Sequence, residues 1–210
     1  MWISGENQYL SGGYLLIFMQ KEKENGILIQ NGDFLWNSMR NGDNFMGYGT
    51  VVQRVTEAEA RRRIARTILE ALPDWFGIRE SREEYIEDSG NQTFFAAYRQ
   101  DRPVGFLCLK ETGKATAELA VMGVLPEYHR QGIGRALFET AKKEAVGMGY
   151  QFLQVKTVAM GHYEAYDKTN RFYQSMGFQE FEVFPELWDK ANPCQIYVMG
   201  LGEALRKEPE

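Results

Sequence analysis

The feature that most constrains this chain is the run from Val124 to Leu137, where an apolar segment breaks at a proline, passes two glycines and continues in a helical pattern. Gly132 and Gly134 lack side chains, so the backbone N–H groups beside them would be accessible to a ligand. A helix that begins near Ile133 would direct its unpaired amides and the positive end of its dipole to the same place. The run therefore predicts a strand, a phosphate-binding loop and a helix.

Two arginines flank these glycines. Arg130 and Arg135 would add fixed positive charge to the predicted site. A glycine pair before a helix also occurs in ordinary strand-to-helix turns, for conformational reasons alone. We favour phosphate binding because the strand, the amphipathic helix and the arginines occur together.

Composition narrows the class of protein. The 210 residues are 44% hydrophobic with a net charge of -5, which is typical of a globular protein with one sizeable core. We expect no nucleic-acid partner, because long Lys/Arg blocks are absent and the arginines at 61–63 fit a solvated helix face. The apolar run at 14–19 is too short to span a bilayer. Cys108 and Cys194 lie in apolar runs and predict buried free thiols, which favours a cytoplasmic protein without a metal site.

The chain divides into three predicted parts: an N-terminal extension of unknown role (1–46), one domain (47–202) and a charged tail (203–210). Residue patterns predict strands at 51–55, 93–98, 104–110, 115–124, 152–158, 178–184 and 195–201. A helix should follow Thr56, which with Glu59 resembles a capping box, and end at Pro73. Ser81 and Glu84 form a second such pair.

The helix predicted over 133–147 joins two strands, and this β-α-β unit should be right-handed. Its phosphate site would lie at the carboxyl ends of the strands, as is usual for such units. Another helix should pass through Phe172 and Tyr173 and stop at Gly177. The predicted class is α/β of the α+β kind.

With these elements in order, the chain resembles the GNAT superfamily of N-acetyltransferases over residues 50–201. The motifs that carry the resemblance are RQGIGR at 130–135 and NRFYQSMGF at 170–178. The resemblance implies a mixed, mostly antiparallel sheet of six to seven strands, with helices on both faces. It also implies a splayed parallel strand pair at an acetyl-CoA site.

Acetyl-CoA would then be the acetyl donor, and the resemblance assigns its contacts by position. The pantetheine arm would lie along Met122, Gly123 and Val124. The pyrophosphate would contact the loop residues His129, Arg130, Gln131, Gly132, Ile133, Gly134 and Arg135. Asn170 would bind the pantetheine amides or cap the last helix. The chain departs from the family at His129, where Gln or Arg is usual, and at Tyr166, where many members have asparagine.

Two residues are candidates for catalysis. The resemblance places the hydroxyl of Tyr173 near the CoA sulfur as general acid, and the alternative is a tyrosine that only packs on the core. Glu118 is the only carboxylate within 115–124 and occupies the position of the catalytic glutamate in histone-acetylating members. Partial burial would raise its pKa and suit it to act as base. The alternative is a structural carboxylate bonded to a neighbouring element.

Five further residues are candidates for the substrate pocket. The aromatic loop residues Trp75 and Phe76 either floor the pocket or pack in the core. His162 and Glu164 are rival bases or amine-binding groups, and Tyr163 lies between them. Loop residues of this kind are otherwise simply solvated.

The sequence thus predicts an acetyl-CoA-dependent N-acetyltransferase that uses direct transfer to a primary amine of a small cationic metabolite or antibiotic-like molecule. Protein N-termini or lysines are an alternative substrate class. A noncatalytic acyl-CoA-binding module on the same fold is an alternative of another kind. A dinucleotide-binding Rossmann enzyme is excluded because the glycines follow a late strand and no acidic ribose ligand ends the next one. A homodimer is left open.

Overall fold

The computed structural model describes residues 49–202; the predicted N-terminal extension and charged tail lie outside these residues and stay predictions. The described strands are β1 (Val51–Val55), β2 (Thr93–Arg99), β3 (Arg102–Gly113), β4 (Thr116–Val124), β5 (Phe152–Val158), β6 (Gln179–Asp189) and β7 (Asn192–Gly200). The described helices are α1 (Ala58–Glu70), α2 (Pro73–Phe76), α3 (Arg79–Ser89), α4 (Ile133–Gly147) and α5 (Glu164–Ser175), with a turn of 3-10 helix at Pro126–Tyr128.

The seven strands form one sheet in the order β1-β2-β3-β4-β5-β7-β6. Neighbouring strands are antiparallel except β4 and β5, which are parallel and pair only from Thr116 opposite Phe152 to Glu118 opposite Gln154. Between Leu119 and Val121, β4 contains a bulge against β3. Beyond Glu118, β4 and β5 continue without pairing to each other. The predicted mixed sheet with a splayed parallel pair is therefore confirmed.

Helices cover both faces of the sheet. On one face, α4 and α5 pack on a core that includes Ala117 and Leu119 of β4. On the other face, α1 buries Ile68 and Leu69 against β2, β3 and β4. Gly123 permits that approach, because a Cβ atom at this position would lie 2.9 Å from side-chain carbons of Ile68 and Leu72. Close helix packing therefore accounts for this glycine.

Several predicted details are wrong at the ends of elements. The N-cap of α1 is Glu57 and that of α3 is Ile78, and neither helix start has a side-chain capping bond, so both predicted capping boxes fail. The aromatic loop is the short helix α2. β6 continues through Pro185 because it is an edge strand, where a proline sacrifices no ladder bond. Cys108 and Cys194 are buried free thiols, as predicted.

The solvated face predicted for the arginines at 61–63 is wrong for Arg61. Its guanidinium donates to four main-chain oxygens, those of Val55, Thr56, Gly90 and Gln92, at 2.8 to 3.0 Å. These carbonyls belong to the end of β1 and to the segment before β2, so Arg61 joins both ends of the helical segment between the two strands. Among residues 49–202, no helix is long and apolar enough to cross a membrane.

Candidate active site

The glycine loop presents a row of unpaired amides. Arg130 has φ +60° and Gly132, the N-cap of α4, has φ +81°, so the loop contains two left-handed residues in close succession. No acceptor within residues 49–202 receives a hydrogen bond from the backbone N–H groups of Arg130 through Arg135. Unpaired amides at a helix N-terminus are a favourable environment for an anion.

The two positions in this loop require glycine for different reasons. A Cβ atom on Gly132 would meet nothing within 4 Å, so this residue is glycine for its backbone conformation, and its surface is open. A Cβ atom on Gly134 would lie 3.3 Å from the Phe172 ring, so this glycine lets α5 pack closely on α4. Arg130, Gln131 and Arg135 are exposed beside the open surface.

The end of β4 adjoins this loop. His129 Nε2 lies 2.7 Å from the carbonyl oxygen of Val124, and the imidazole meets Trp75 edge-on with 6.1 Å between ring centroids. Met122 and Val124 are half-buried against the α4–α5 core. Because β4 and β5 do not pair beyond Glu118, the edge of β4 that faces β5 is unpaired from there onward. The imidazole of His129 therefore contacts the Val124 carbonyl oxygen, whereas the backbone groups along the rest of that edge are available to a ligand.

Tyr173 lies on α5 and belongs to the core between α4, α5 and the sheet. It is 7% exposed and packs between Phe178 and Tyr197, and burial raises the pKa of its phenol well above the ordinary value. Its hydroxyl makes no hydrogen bond within residues 49–202, and its oxygen is not completely shielded from solvent. The phenol therefore stays protonated at neutral pH, and its oxygen has a free hydrogen-bonding capacity.

Asn170 is fully buried in the core. Its Nδ2 donates to the carbonyl oxygens of Val158 (3.0 Å) and Tyr166 (2.7 Å). Its Oδ1 accepts a 2.7 Å hydrogen bond from the Tyr197 hydroxyl. These bonds fix α5 against β5 and β7, so the structure does not bring Asn170 to the predicted cofactor surface, and an interior helix position excludes the capping alternative.

Glu118 faces the opposite side of the sheet from Tyr173, at the last paired position before β4 and β5 separate. Its side chain is 12% exposed, and its Oε2 accepts hydrogen bonds from Lys156 Nζ at 2.7 Å and Gln154 Nε2 at 3.2 Å. Its Oε1 accepts none within the described part of the chain, and it is not among the sealed polar atoms. The carboxylate is thus held by β5 through one oxygen, while the other remains available.

A cavity of 130 Å³ opens beside this carboxylate, and we call it the Glu118 cavity. Its lining includes Tyr85, Asp88, Lys110, Glu118, Lys156 and Trp188. Sequence analysis identified only Glu118 among these. Lys110 and Lys156 carry the same signal, a charge within an apolar strand, whereas nothing in the sequence marks Trp188. A larger depression of 440 Å³ lies along Phe184 to Leu187 on β6 and touches none of the candidate site residues.

Residues 90–180 match the sequence model of the family described as Acetyltransferase (GNAT) domain. This segment belongs to the GNAT acetyltransferase family. A curated relative, the uncharacterised N-acetyltransferase YsnE of Bacillus subtilis, is 28% identical over 100 residues. That alignment covers 48% of this chain and 64% of the relative, so the chain spans less than two-thirds of the relative's length.

Solved structures also resemble the GNAT domain. The ribosomal-protein-S18-alanine N-acetyltransferase of Escherichia coli matches 77% of this chain and 100% of its own, with TM-score 0.58 and 21% identity. An aminoglycoside 6'-N-acetyltransferase in complex with coenzyme A matches 76% and 99%, with TM-score 0.58 and 18% identity. A GNAT acetyltransferase of Elizabethkingia anophelis with acetyl-CoA bound matches 72% and 97%, with TM-score 0.56 and 16% identity. At these identities the likeness establishes the fold.

The residues predicted to form the substrate pocket of the GNAT domain do not line the Glu118 cavity. Trp75 packs on α5, where its Nε1 donates to Thr169 Oγ1 at 3.0 Å, and Phe76 packs edge-on against Tyr85. Three others, His162, Tyr163 and Glu164, are exposed at the start of α5. Glu164 pairs with Lys168 at 2.9 Å, which lowers the pKa of the carboxyl.

Proposed function

We propose that the chain is an acetyl-CoA-dependent N-acetyltransferase that moves an acetyl group to a primary amine of a small molecule by direct transfer. One observation carries the proposal: the unpaired amides from Arg130 to Arg135 follow the end of β4, whose edge is not paired with β5 beyond Glu118. The GNAT structures with bound coenzyme A and acetyl-CoA support the same donor. The retained pair of Tyr173 and Glu118 favours an enzyme over a noncatalytic module.

The residues present fit the donor. Backbone N–H groups bind phosphate oxygens with charge-assisted hydrogen bonds, and the bare surface at Gly132 would admit a diphosphate without a steric obstacle. Arg130 and Arg135 are exposed at the same place and supply positive charge. The unpaired edge of β4 offers backbone groups to the amides of a pantetheine arm, and the half-buried Met122 and Val124 line that edge.

Acetyl-CoA, when bound, supplies an activated acetyl thioester. Glu118 Oε1 accepts a proton from the substrate ammonium, which leaves a neutral amine as nucleophile. Backbone N–H groups of β4 near Met122 and Gly123 stabilise the negative charge that develops on the carbonyl oxygen. Tyr173 donates its phenolic proton to the departing sulfur. The C–N bond forms as the C–S bond breaks. The second proton that the nitrogen loses restores the Tyr173 phenol, and the proton held by Glu118 passes to solvent.

The positions of the two thiols support direct transfer. Cys108 is fully buried in the core under α1, and burial raises its pKa far above the ordinary value. Burial also raises the pKa of Cys194 to about 11. Neither sulfur is available as a thiolate at neutral pH, so an acyl-enzyme on cysteine is disfavoured.

Two measurements test the proposal. Acetyl-CoA at 100 times its dissociation constant should stabilise the protein by about 2.7 kcal/mol, which corresponds to a rise of about 5–11 °C in Tm. A thiol-release assay with a panel of primary amines should then detect turnover. Failure to bind acetyl-CoA would overturn the whole proposal, whereas binding without release for any amine or peptide would indicate a noncatalytic module. Turnover only with peptides would assign the activity to protein N-termini or lysines.

A further inference from the structure

The Glu118 cavity carries balanced charge. Two carboxylates, of Asp88 and Glu118, and two ammonium groups, of Lys110 and Lys156, line it. A polyamine or another purely cationic acceptor could pair with the two carboxylates, but it would add positive charge beside two lysines and leave them without an anionic partner on the ligand, which is unfavourable. A ligand with one positive and one negative group would find a partner for each. The charge pattern therefore favours a zwitterion.

The four charged groups are not equally available. Lys156 is committed to Glu118 Oε2 at 2.7 Å, and its side chain is 29% exposed. Lys110 is only loosely paired, with 4.0 Å from its Nζ to Asp88 Oδ2 and a side chain that is 53% exposed. Glu118 Oε1 accepts no hydrogen bond within the described residues. One free anionic oxygen of Glu118 therefore remains for a ligand, together with the weakly engaged pair of Lys110 and Asp88.

These two groups are also close neighbours. Lys110 of β3 lies opposite Glu118 of β4 in the strand register, and both residues line the same cavity. Side chains opposite each other in an antiparallel pair have Cβ atoms about 4.5–5.5 Å apart. An ammonium and a carboxylate on one carbon atom would fit between such a pair.

We propose that the acceptor is a free α-amino acid, whose ammonium binds Glu118 Oε1 and whose carboxylate binds Lys110 Nζ. This inference rests on the acetyltransferase function proposed above and replaces the cationic or antibiotic-like amine that the sequence suggested. The product, an N-acetyl amino acid and free CoA, forms by the proton transfers already described. The acetylated nitrogen no longer carries charge, so the product loses its contact with Glu118 and is released more easily.

Cavity size and lining narrow the choice further. A volume of 130 Å³ suits a small acceptor molecule better than one as large as an aminoglycoside. Tyr85 and Trp188 add aromatic surface that would contact an apolar side chain.

The test compares three forms of one acceptor in the thiol-release assay: an apolar amino acid such as leucine, its amide, and the decarboxylated amine. Putrescine and spermidine serve as cationic competitors. We expect kcat/KM for the amino acid to exceed that for the amide by at least about tenfold, the lower limit for a hydrogen bond between charged groups. Lys110→Met should remove that preference by lowering the value for the acid alone. Lys143→Met, an exposed lysine on α4, is the matched control and should behave as wild type.

The outcomes separate this inference from the function on which it rests. Equal or better turnover of the amide, the decarboxylated amine or the polyamines overturns the amino-acid assignment and leaves the acetyltransferase in place. Equal losses on acid and amide in Lys110→Met also overturn it. Binding of acetyl-CoA without acetylation of any amino acid tested overturns it as well. Failure to bind acetyl-CoA refutes the proposed function itself.

Discussion

The glycine at the start of α4 offers the sharpest test of the proposed phosphate site, because α4 provides its own control at the other end. Gly132 and Gly149 flank the helix and have φ +81° and +86°, and a Cβ atom added to either would meet nothing within 4 Å. Alanine at either site should therefore strain the backbone equally and clash with nothing. The two glycines differ in that the N–H of Gly149 donates to Val146, whereas the N–H of Gly132 is unpaired and has a ligand expected beside it.

The magnitudes follow from this match. A left-handed L-residue costs about 1–2 kcal/mol, and the stiffer unfolded chain offsets roughly 0.4–1 kcal/mol of this cost. Each variant should therefore lose about 1 kcal/mol of stability, which lowers Tm by about 2–4 °C. Only Gly132→Ala should also disturb an amide that binds a diphosphate. Loss of one hydrogen bond to a charged group, about 1.5–3 kcal/mol, weakens binding of acetyl-CoA roughly 10- to 150-fold.

Calorimetric titration with acetyl-CoA, together with thermal unfolding of both variants, measures these quantities. The expected pattern is the same small fall in Tm for both proteins, with weaker binding in Gly132→Ala alone. Affinities of the two variants within twofold of each other would refute the assignment of the phosphate site to this loop.

Four further outcomes are expected. Tyr173→Phe should lower kcat by about 10²- to 10⁴-fold with little change in Tm. Tyr197→Phe should lose about 1–3 kcal/mol of stability, because it leaves the buried Asn170 Oδ1 without a donor, and its kcat should stay within a few-fold of wild type. The reverse pattern would contradict the assigned acid. Glu118→Gln should lower kcat by a similar 10²- to 10⁴-fold, and a rate within fivefold of wild type would make that carboxylate structural. Gly123→Ala should cost roughly 1–3 kcal/mol through overpacking against α1, with acetyl-CoA binding retained; unchanged thermal unfolding would refute this account of the glycine. Burial raises the pKa of Tyr166 and Tyr197 to about 12. Their contribution to stability is therefore complete below about pH 10 and lost as the pH rises through 12. If the free energy of unfolding, measured with urea from pH 8 to 11, did not fall above about pH 10, this expectation would be wrong.

The strand-loop-helix centre of the fold was predictable because its signals are local. The bounds of α4 and β5 agree with those expected from the sequence, since apolar periodicity and glycine stops both lie within a few residues of the ends. Local signals misled where tertiary contacts decide. The Thr56 and Ser81 pairs resemble capping boxes, but the helices begin at other residues, and a carbonyl clamp by Arg61 holds the first of them.

Some residues of the candidate site could likewise be predicted from the sequence, whereas others depend on tertiary contacts. The loop amides and the position of Glu118 follow from order along the chain, and the roles of Tyr173 and Glu118 stay predictions. The companions of Glu118 come from α3, β3, β5 and the segment before the β6–β7 turn, so no spacing along the chain brings them together. Trp188 depends on an irregular stretch of β6 between Phe184 and Asp189, where pairing with β7 is interrupted. Asn170 shows the converse, because a residue that fits a motif can serve only the core.

Arg61 has a consequence for engineering the acceptor side of the molecule. One guanidinium closes the ring formed by residues 56–92 through main-chain oxygens, which any sequence provides. Helices between those anchor points can therefore be exchanged as a cassette, with the strands left where they are. A transplanted cassette needs an arginine in the first turn of its leading helix. It must also keep the close packing of α1 on Gly123 and the contact of Trp75 with His129, through which it meets the donor side.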